Sequence, residues 1–126
     1  MKIPSELKYT KSHEWIRFET ETSAVIGITD YAQDALGDIV FVNLPEAGDS
    51  VSASEPFGDT ESVKAVSDLI SPVTATVTEN NEELIDSPEK INEDCYAAWM
   101  IKVDDICGCE ELMDAAAYEE YLKTQE

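Results

Sequence analysis

The sequence predicts a mainly β fold, a small sandwich or barrel with one helix near its C-terminal end. Three observations carry this: short apolar runs that alternate with polar residues, turn-forming residues between them, and a single long amphipathic segment after the last run. The length of 126 residues is one domain's worth on a scale of roughly 100 to 200 residues per domain. Apolar residues make up 43% of the chain, enough for a core at this size. Residues 1–126 are therefore expected to form a single domain.

The elements follow in order. His13 to Glu19 alternates, with Ile16 and Phe18 on one face and charged or amphipathic groups on the other, as a half-buried strand requires. Ala24 to Thr29 and Asp38 to Leu44 read as two more strands. Between them Asp30 is suited to cap a short helix over Tyr31 to Leu36, and Gly37 to end it. Pro45 to Asp49 is turn chemistry, followed by an irregular edge strand over Val51 to Pro56. Phe57 to Val77 is strand-like with a break at Ser71-Pro72, and Val73, Ala75 and Val77 alternate with threonines. Glu79 to Asp94 reads as an acidic loop with a helical turn around Glu82 to Ile85, and Ala97 to Val103 as the last strand. From Glu110 to Lys123, Leu112, Met113, Ala116, Ala117, Tyr121 and Leu122 fall at helical spacing.

Charge narrows the function. Eight Lys and Arg stand against 28 Asp and Glu, a net charge of −20. Such a surface repels phosphate backbones and anionic lipid, so neither nucleic acid nor membrane is an expected partner. No apolar run approaches the length of a membrane helix, and the first residues lack a signal-peptide apolar region. A cytoplasmic location is expected, or the mitochondrial matrix for a processed eukaryotic form. Cys95, Cys107 and Cys109 are an odd number and read as reduced thiols. With His13 the one histidine, Cys107 and Cys109 lack the further ligands a metal site needs.

One residue stands apart. Between Arg17 and Lys90 the single basic side chain is Lys64, set among strand residues as Ser62-Val63-Lys64-Ala65-Val66. By itself it reads as a surface lysine paired with Glu61 or Asp68.

Longer stretches say more. Leu7 to Trp15, with Ser12-His13-Glu14-Trp15 at its end, Gly27 to Val42, Glu61 to Val73, and Asp114 to Tyr118 together resemble the H proteins of glycine cleavage systems. The match runs in order from about Leu7 to Leu122. The resemblance implies a barrel-sandwich hybrid of two small antiparallel sheets, as in lipoyl and biotin carriers, with a short helix and a C-terminal α-helix. It implies that Lys64 lies at a hairpin tip and carries lipoate through an amide bond, with Val63 and Ala65 in place of the methionines that flank a biotinyl lysine. It also implies that Ser12, Glu14 and Asp68 cradle the aminomethyl-loaded arm.

By the same resemblance the chain is a carrier rather than an enzyme, and no residue is assigned a catalytic role. The implied partners are a pyridoxal-phosphate-dependent glycine decarboxylase, a tetrahydrofolate-dependent aminomethyltransferase, dihydrolipoamide dehydrogenase, and a lipoate ligase or lipoyl transferase. The cofactor performs the bond chemistry, and the protein supplies position. An H-like lipoyl donor in lipoate relay is the near alternative. A hydrolase or lyase using Glu14 and Asp68 as an acid/base pair, or a plain acidic interaction module, are the distant ones. Ser54 and Ala75 stand where the family commonly has glycine, and Asp59-Thr60 replaces a more apolar pair, so the local turns and the hairpin packing are the expected points of difference.

Overall fold

The computed structural model describes residues 2–124. The described residues form nine strands and four helices, in the order β1 (Lys8–Tyr9), β2 (Glu14–Phe18), β3 (Ala24–Ile28), α1 (Asp30–Leu36), β4 (Ile39–Asn43), β5 (Ser50–Val51), β6 (Pro56–Ser62), β7 (Val66–Ile70), β8 (Val73–Asn80), α2 (Glu82–Asp86), α3 (Lys90–Glu93), β9 (Ile101–Cys109) and α4 (Ala115–Lys123). The strands form two antiparallel sheets, a six-stranded one in the order β1-β2-β3-β9-β8-β5 and a three-stranded one in the order β4-β6-β7. The sandwich core lies between them: Ile16, Ile26, Val77 and Val103 of the large sheet meet Ile39, Val42 and Leu69 of the small one. On the other face of the large sheet Leu7, Tyr9, Trp15 and Val25 pack beneath Tyr118 and Leu122 of α4, a second core. β2 is therefore buried on both faces at its start, and Phe18 corrects the expected pattern because it lies past that cover and is exposed.

Other boundaries move for identifiable reasons. Thr29, not Asp30, caps α1, its side chain accepting from the Ala32 N–H, while Asp30 is the first helical residue. Gly37 does end that helix, at φ +78. The edge strand expected over Val51 to Pro56 shrinks to Ser50–Val51, since Ser54 adopts φ +67 in a turn and Pro56 already belongs to β6. Serine there takes the left-handed backbone that glycine favours, and its hydroxyl bonds Glu110 at 2.9 Å.

The strand expected over Ala97 to Val103 starts only at Ile101. The Asp94 carboxylate and carbonyl accept from Tyr96, Ala97 and Ala98 and fold that stretch into a turn. β9 then runs on to Cys109 through an irregular register around Asp105, at φ +56. α3 falls inside the segment read as loop. At the C-terminal end the helix covers only Ala115–Lys123. Met113 is tied to Tyr9 by paired backbone bonds of 2.8 Å, which holds residues 110–113 extended until Asp114 caps the helix. Tyr118 and Leu122 form its buried stripe, whereas Ala116 and Ala117, expected inside, are exposed.

Candidate functional site

β6 and β7 pair from Pro56↔Ile70 up to Glu61↔Val66, so Val63, Lys64 and Ala65 form the hairpin tip. The tip is held by its own chain. The Ser62 hydroxyl accepts from the N–H groups of Lys64 and Ala65, both at 3.1 Å, and the Ser62 N–H donates to the Ala65 carbonyl at 2.8 Å. Val63 N–H donates to the Asp38 carbonyl at 3.1 Å, tying the tip to the residue that precedes β4. Lys64 is exposed and, among the described residues, makes no ion pair with Glu61, Asp68 or any other acid. Its stem crosses Gly37: a Cβ added there would lie 3.3 Å from Lys64 Cε and 3.7 Å from Nζ. The sequence marks Gly37 as a helix stop, but its approach to Lys64 is tertiary.

The second element of the site is Glu14, 2% exposed at the start of β2. Its Oε1 accepts from the Thr10 hydroxyl at 2.8 Å and the Ser12 hydroxyl at 2.5 Å, and Oε2 from the Ile70 N–H at 3.3 Å. Burial pushes its carboxyl up to about 7, against the opposing pull of these three hydrogen bonds. Thr10, fully buried, also accepts the Glu14 N–H at 3.0 Å, so the carboxylate and its backbone are clamped by one hydroxyl. Thr10 is not among the expected site residues; it meets Glu14 because the turn over residues 10–13, closed by the Thr10 N–H to Glu14 carbonyl bond at 3.0 Å, folds the chain back between β1 and β2.

The loop bearing Ser12 is fixed from α4. His13, at φ +69, packs against Tyr31 with the rings tilted by 36° and their centroids 4.5 Å apart, and its Nδ1 lies 2.9 Å from the Tyr118 hydroxyl. That hydroxyl is in turn 2.7 Å from Thr29 Oγ1, and the Tyr121 hydroxyl bonds the Lys11 carbonyl at 3.2 Å. Burial lowers the His13 pKa.

The structure thus joins Ser12 and Glu14 directly and brings both to β7 through Ile70. Asp68 is on that same strand two residues earlier, but its carboxylate is exposed, opposite Asp59, and among the described residues no hydrogen bond links it to Ser12, Glu14 or Lys64. Thr60, inside the hairpin, is fully buried, and its hydroxyl faces the Ser67 carbonyl at 3.4 Å, which accommodates a polar residue in that layer.

The chain as a whole is similar to known proteins. The family model described as glycine cleavage H-protein matches residues 7–125. Curated proteins named glycine cleavage system H protein are similar along nearly the whole chain. The one from Lachnoclostridium phytofermentans is 55% identical over 125 residues, covering 99% of this chain and 98% of that protein. The one from Geobacillus kaustophilus is 56% identical over 122 residues, covering 94% and 95%. A crystal structure of a glycine cleavage system H protein from Mycobacterium marinum superposes with a TM-score of 0.87 at 41% identity, covering 98% of each chain. With fold, length and sequence in agreement, the chain belongs to the glycine cleavage H-protein family.

Proposed function

We propose that this chain is the lipoyl-bearing shuttle of a glycine cleavage system. It receives the aminomethyl group of glycine from the pyridoxal-phosphate-dependent glycine decarboxylase and delivers it to the tetrahydrofolate-dependent aminomethyltransferase. The observation that carries the reading is Lys64, an exposed and unpaired amine on a hairpin tip locked by Ser62. A ligase needs such an amine within reach, and a rigid tip gives it one fixed address. Lipoate joined to that amine supplies a disulfide that opens reductively as it takes up the cargo.

The chain's own groups fit that cargo. A cationic amine needs an acceptor sheltered from water, and Glu14 at the edge of β7 is one. With its carboxyl near half-protonated at neutral pH, Glu14 gives up its proton when a cation arrives and so gains an ion pair where it previously had none. Thr10 and Ser12 hold one oxygen in place and leave the other facing Ile70. Asp68, exposed on the same strand, adds a screened and weaker attraction. From Val66 to Ile70 the strand runs about 13 Å, a span that a long tethered side chain covers.

Dihydrolipoamide dehydrogenase and a lipoate ligase or lipoyl transferase complete the proposed partners, and the role is that of a carrier without turnover of its own. The named relatives are bacterial, and no helix among the described residues is long and apolar enough to cross a membrane, which supports a cytoplasmic place of work. Peptide mapping after incubation with lipoate ligase, lipoate and ATP tests the assignment: the added mass is expected on Lys64 and absent from Lys64→Arg. Modification at Lys8 or Lys102 instead refutes it. Glycine-dependent loading by the decarboxylase then separates a shuttle from a protein that only relays lipoyl groups, and Glu14→Gln should shorten retention of the glycine-derived carbon without affecting lipoylation.

A further inference from the structure

Six large apolar side chains are exposed among the described residues, and four of them lie on the hairpin that bears Lys64 or on the strand paired with it: Val63 at 67%, Val66 at 66%, Val40 at 55% and Phe41 at 44%. Single exposed apolar residues are ordinary, but a cluster around one functional amine is not. The backbone creates this cluster. β4 shifts register against β6 between Ile39 and Phe41, so one extra residue is accommodated there. Ile39 and Val42 both stay in the core, and Val40 and Phe41 both turn outward. Phe41 is then in register with Glu61, and Glu61 with Val66, so the Glu61 carboxylate sits between Phe41 on β4 and Val66 on β7 in a row that leads to the hairpin tip.

The rim of this collar is acidic. Residues 38–43, 56–62 and 66–70 contain no Lys or Arg; Glu61 interrupts the apolar residues, and Asp38, Asp59 and Asp68 lie in the same segments, Asp59 opposite Asp68. The complementary surface has an apolar center and a cationic border. Reach then separates the possible occupants. Lys64 Nζ is about 6 Å from its Cα, so an active site that touches Nζ must press against Val63 and Val66. Enzymes that work at the far end of a lipoyl arm have no such need.

We infer that the Val40-Phe41-Val63-Val66 collar is the docking surface for the enzyme that acylates Lys64, and that the glycine-handling enzymes do not read it. The inference rests on Lys64 being the lipoylated residue. In the step concerned, the neutral Nζ attacks the carbonyl carbon of a lipoyl adenylate. The amide C–N bond forms, the C–O bond to the phosphate breaks with AMP leaving, the surplus Nζ proton passes to solvent, and no electrons are transferred.

The test uses the full chain with lipoate ligase, lipoate and ATP. Phe41→Ser and Val63→Ser should each raise the KM for the acceptor protein about 10-fold or more, with Phe41→Leu and Val63→Leu restoring it. The serine variants, driven to full lipoylation with excess ligase, should support glycine-bicarbonate exchange by the decarboxylase within about two-fold of wild type. Acylation unchanged in the serine variants overturns the inference, as does an exchange rate that falls as far as acylation. Val63 lies in the turn outside both strands, so its variant reports docking even if Phe41→Ser perturbs β4. If wild-type Lys64 itself is not acylated, the carrier reading fails first, and that outcome is distinct because it precedes any variant.

Discussion

Replacing Glu14 by Gln should change the sign of its effect on stability with pH. In the unfolded chain a glutamic acid ionises near 4.5, whereas in the fold Glu14 holds its proton up to about 7 because burial opposes the charge. The native state is thus favoured by the protonated form. That stabilisation is full below about pH 4.5, drains as pH rises through about 7, and is gone above it. The interval of about 2.5 pH units at 1.36 kcal/mol each gives about 3 kcal/mol. A carboxamide does not titrate, but it offers one oxygen to Thr10 and Ser12 and points an N–H at Ile70, a mismatch of about 1 kcal/mol. Glu14→Gln is therefore expected to be about 1 kcal/mol less stable than wild type near pH 4 and about 2 kcal/mol more stable near pH 8. Urea unfolding of both proteins across that range measures it, and taking their difference cancels the titration of the other acids. A difference constant within about 0.5 kcal/mol would show that the carboxylate is solvated and the burial argument wrong.

Two further outcomes are expected. Cys107 and Cys109 are exposed and Cys95 is buried with its thiol pushed up to about 12, so a thiol reagent should label two sites quickly and the third only on unfolding; three fast sites would contradict the packing around Cys95. At Gly58 an added Cβ would lie 2.2 Å from the Asn43 carbonyl oxygen, so Gly58→Ala must open the β4-β6 ladder and should lower Tm by about 10 °C or more, a thermal melt within a few degrees of wild type refuting it.

Most strands were legible because alternation over short runs is a local signal, as in Val73, Ala75 and Val77, all buried on one face of β8. The errors arose where a distant partner decides the backbone. Nothing local in Leu112-Met113 shows that Tyr9 will claim Met113 as a strand partner and cut the helix short. The turn at Asp94 likewise overrides the β-forming residues that follow it. At the site, Lys64, Ser12 and Glu14 are singled out through resemblance alone, and the structure joins two of them, the Ser12 hydroxyl donating to Glu14 Oε1 at 2.5 Å. The burial of Glu14 was not anticipated, although period two puts it on the face of Ile16; a carboxylate on a chain of net charge −20 reads as solvated until its donors are seen. Among the described residues Asp68 has no such donors, and sequence spacing alone does not distinguish it from Glu14.

The register shift in β4 also makes the length of that strand separable from its packing. Ile39 faces Ser62, Phe41 faces Glu61 and Val42 faces Thr60, so removing Val40 leaves a regular ladder in which every remaining partner is already opposite its mate. An insertion or deletion inside a strand ordinarily inverts all residues beyond it. Here a chain one residue shorter keeps Ile39 and Val42 in the core and loses a single exposed valine, which makes this β-strand a place where the gene can change length without disturbing the interior.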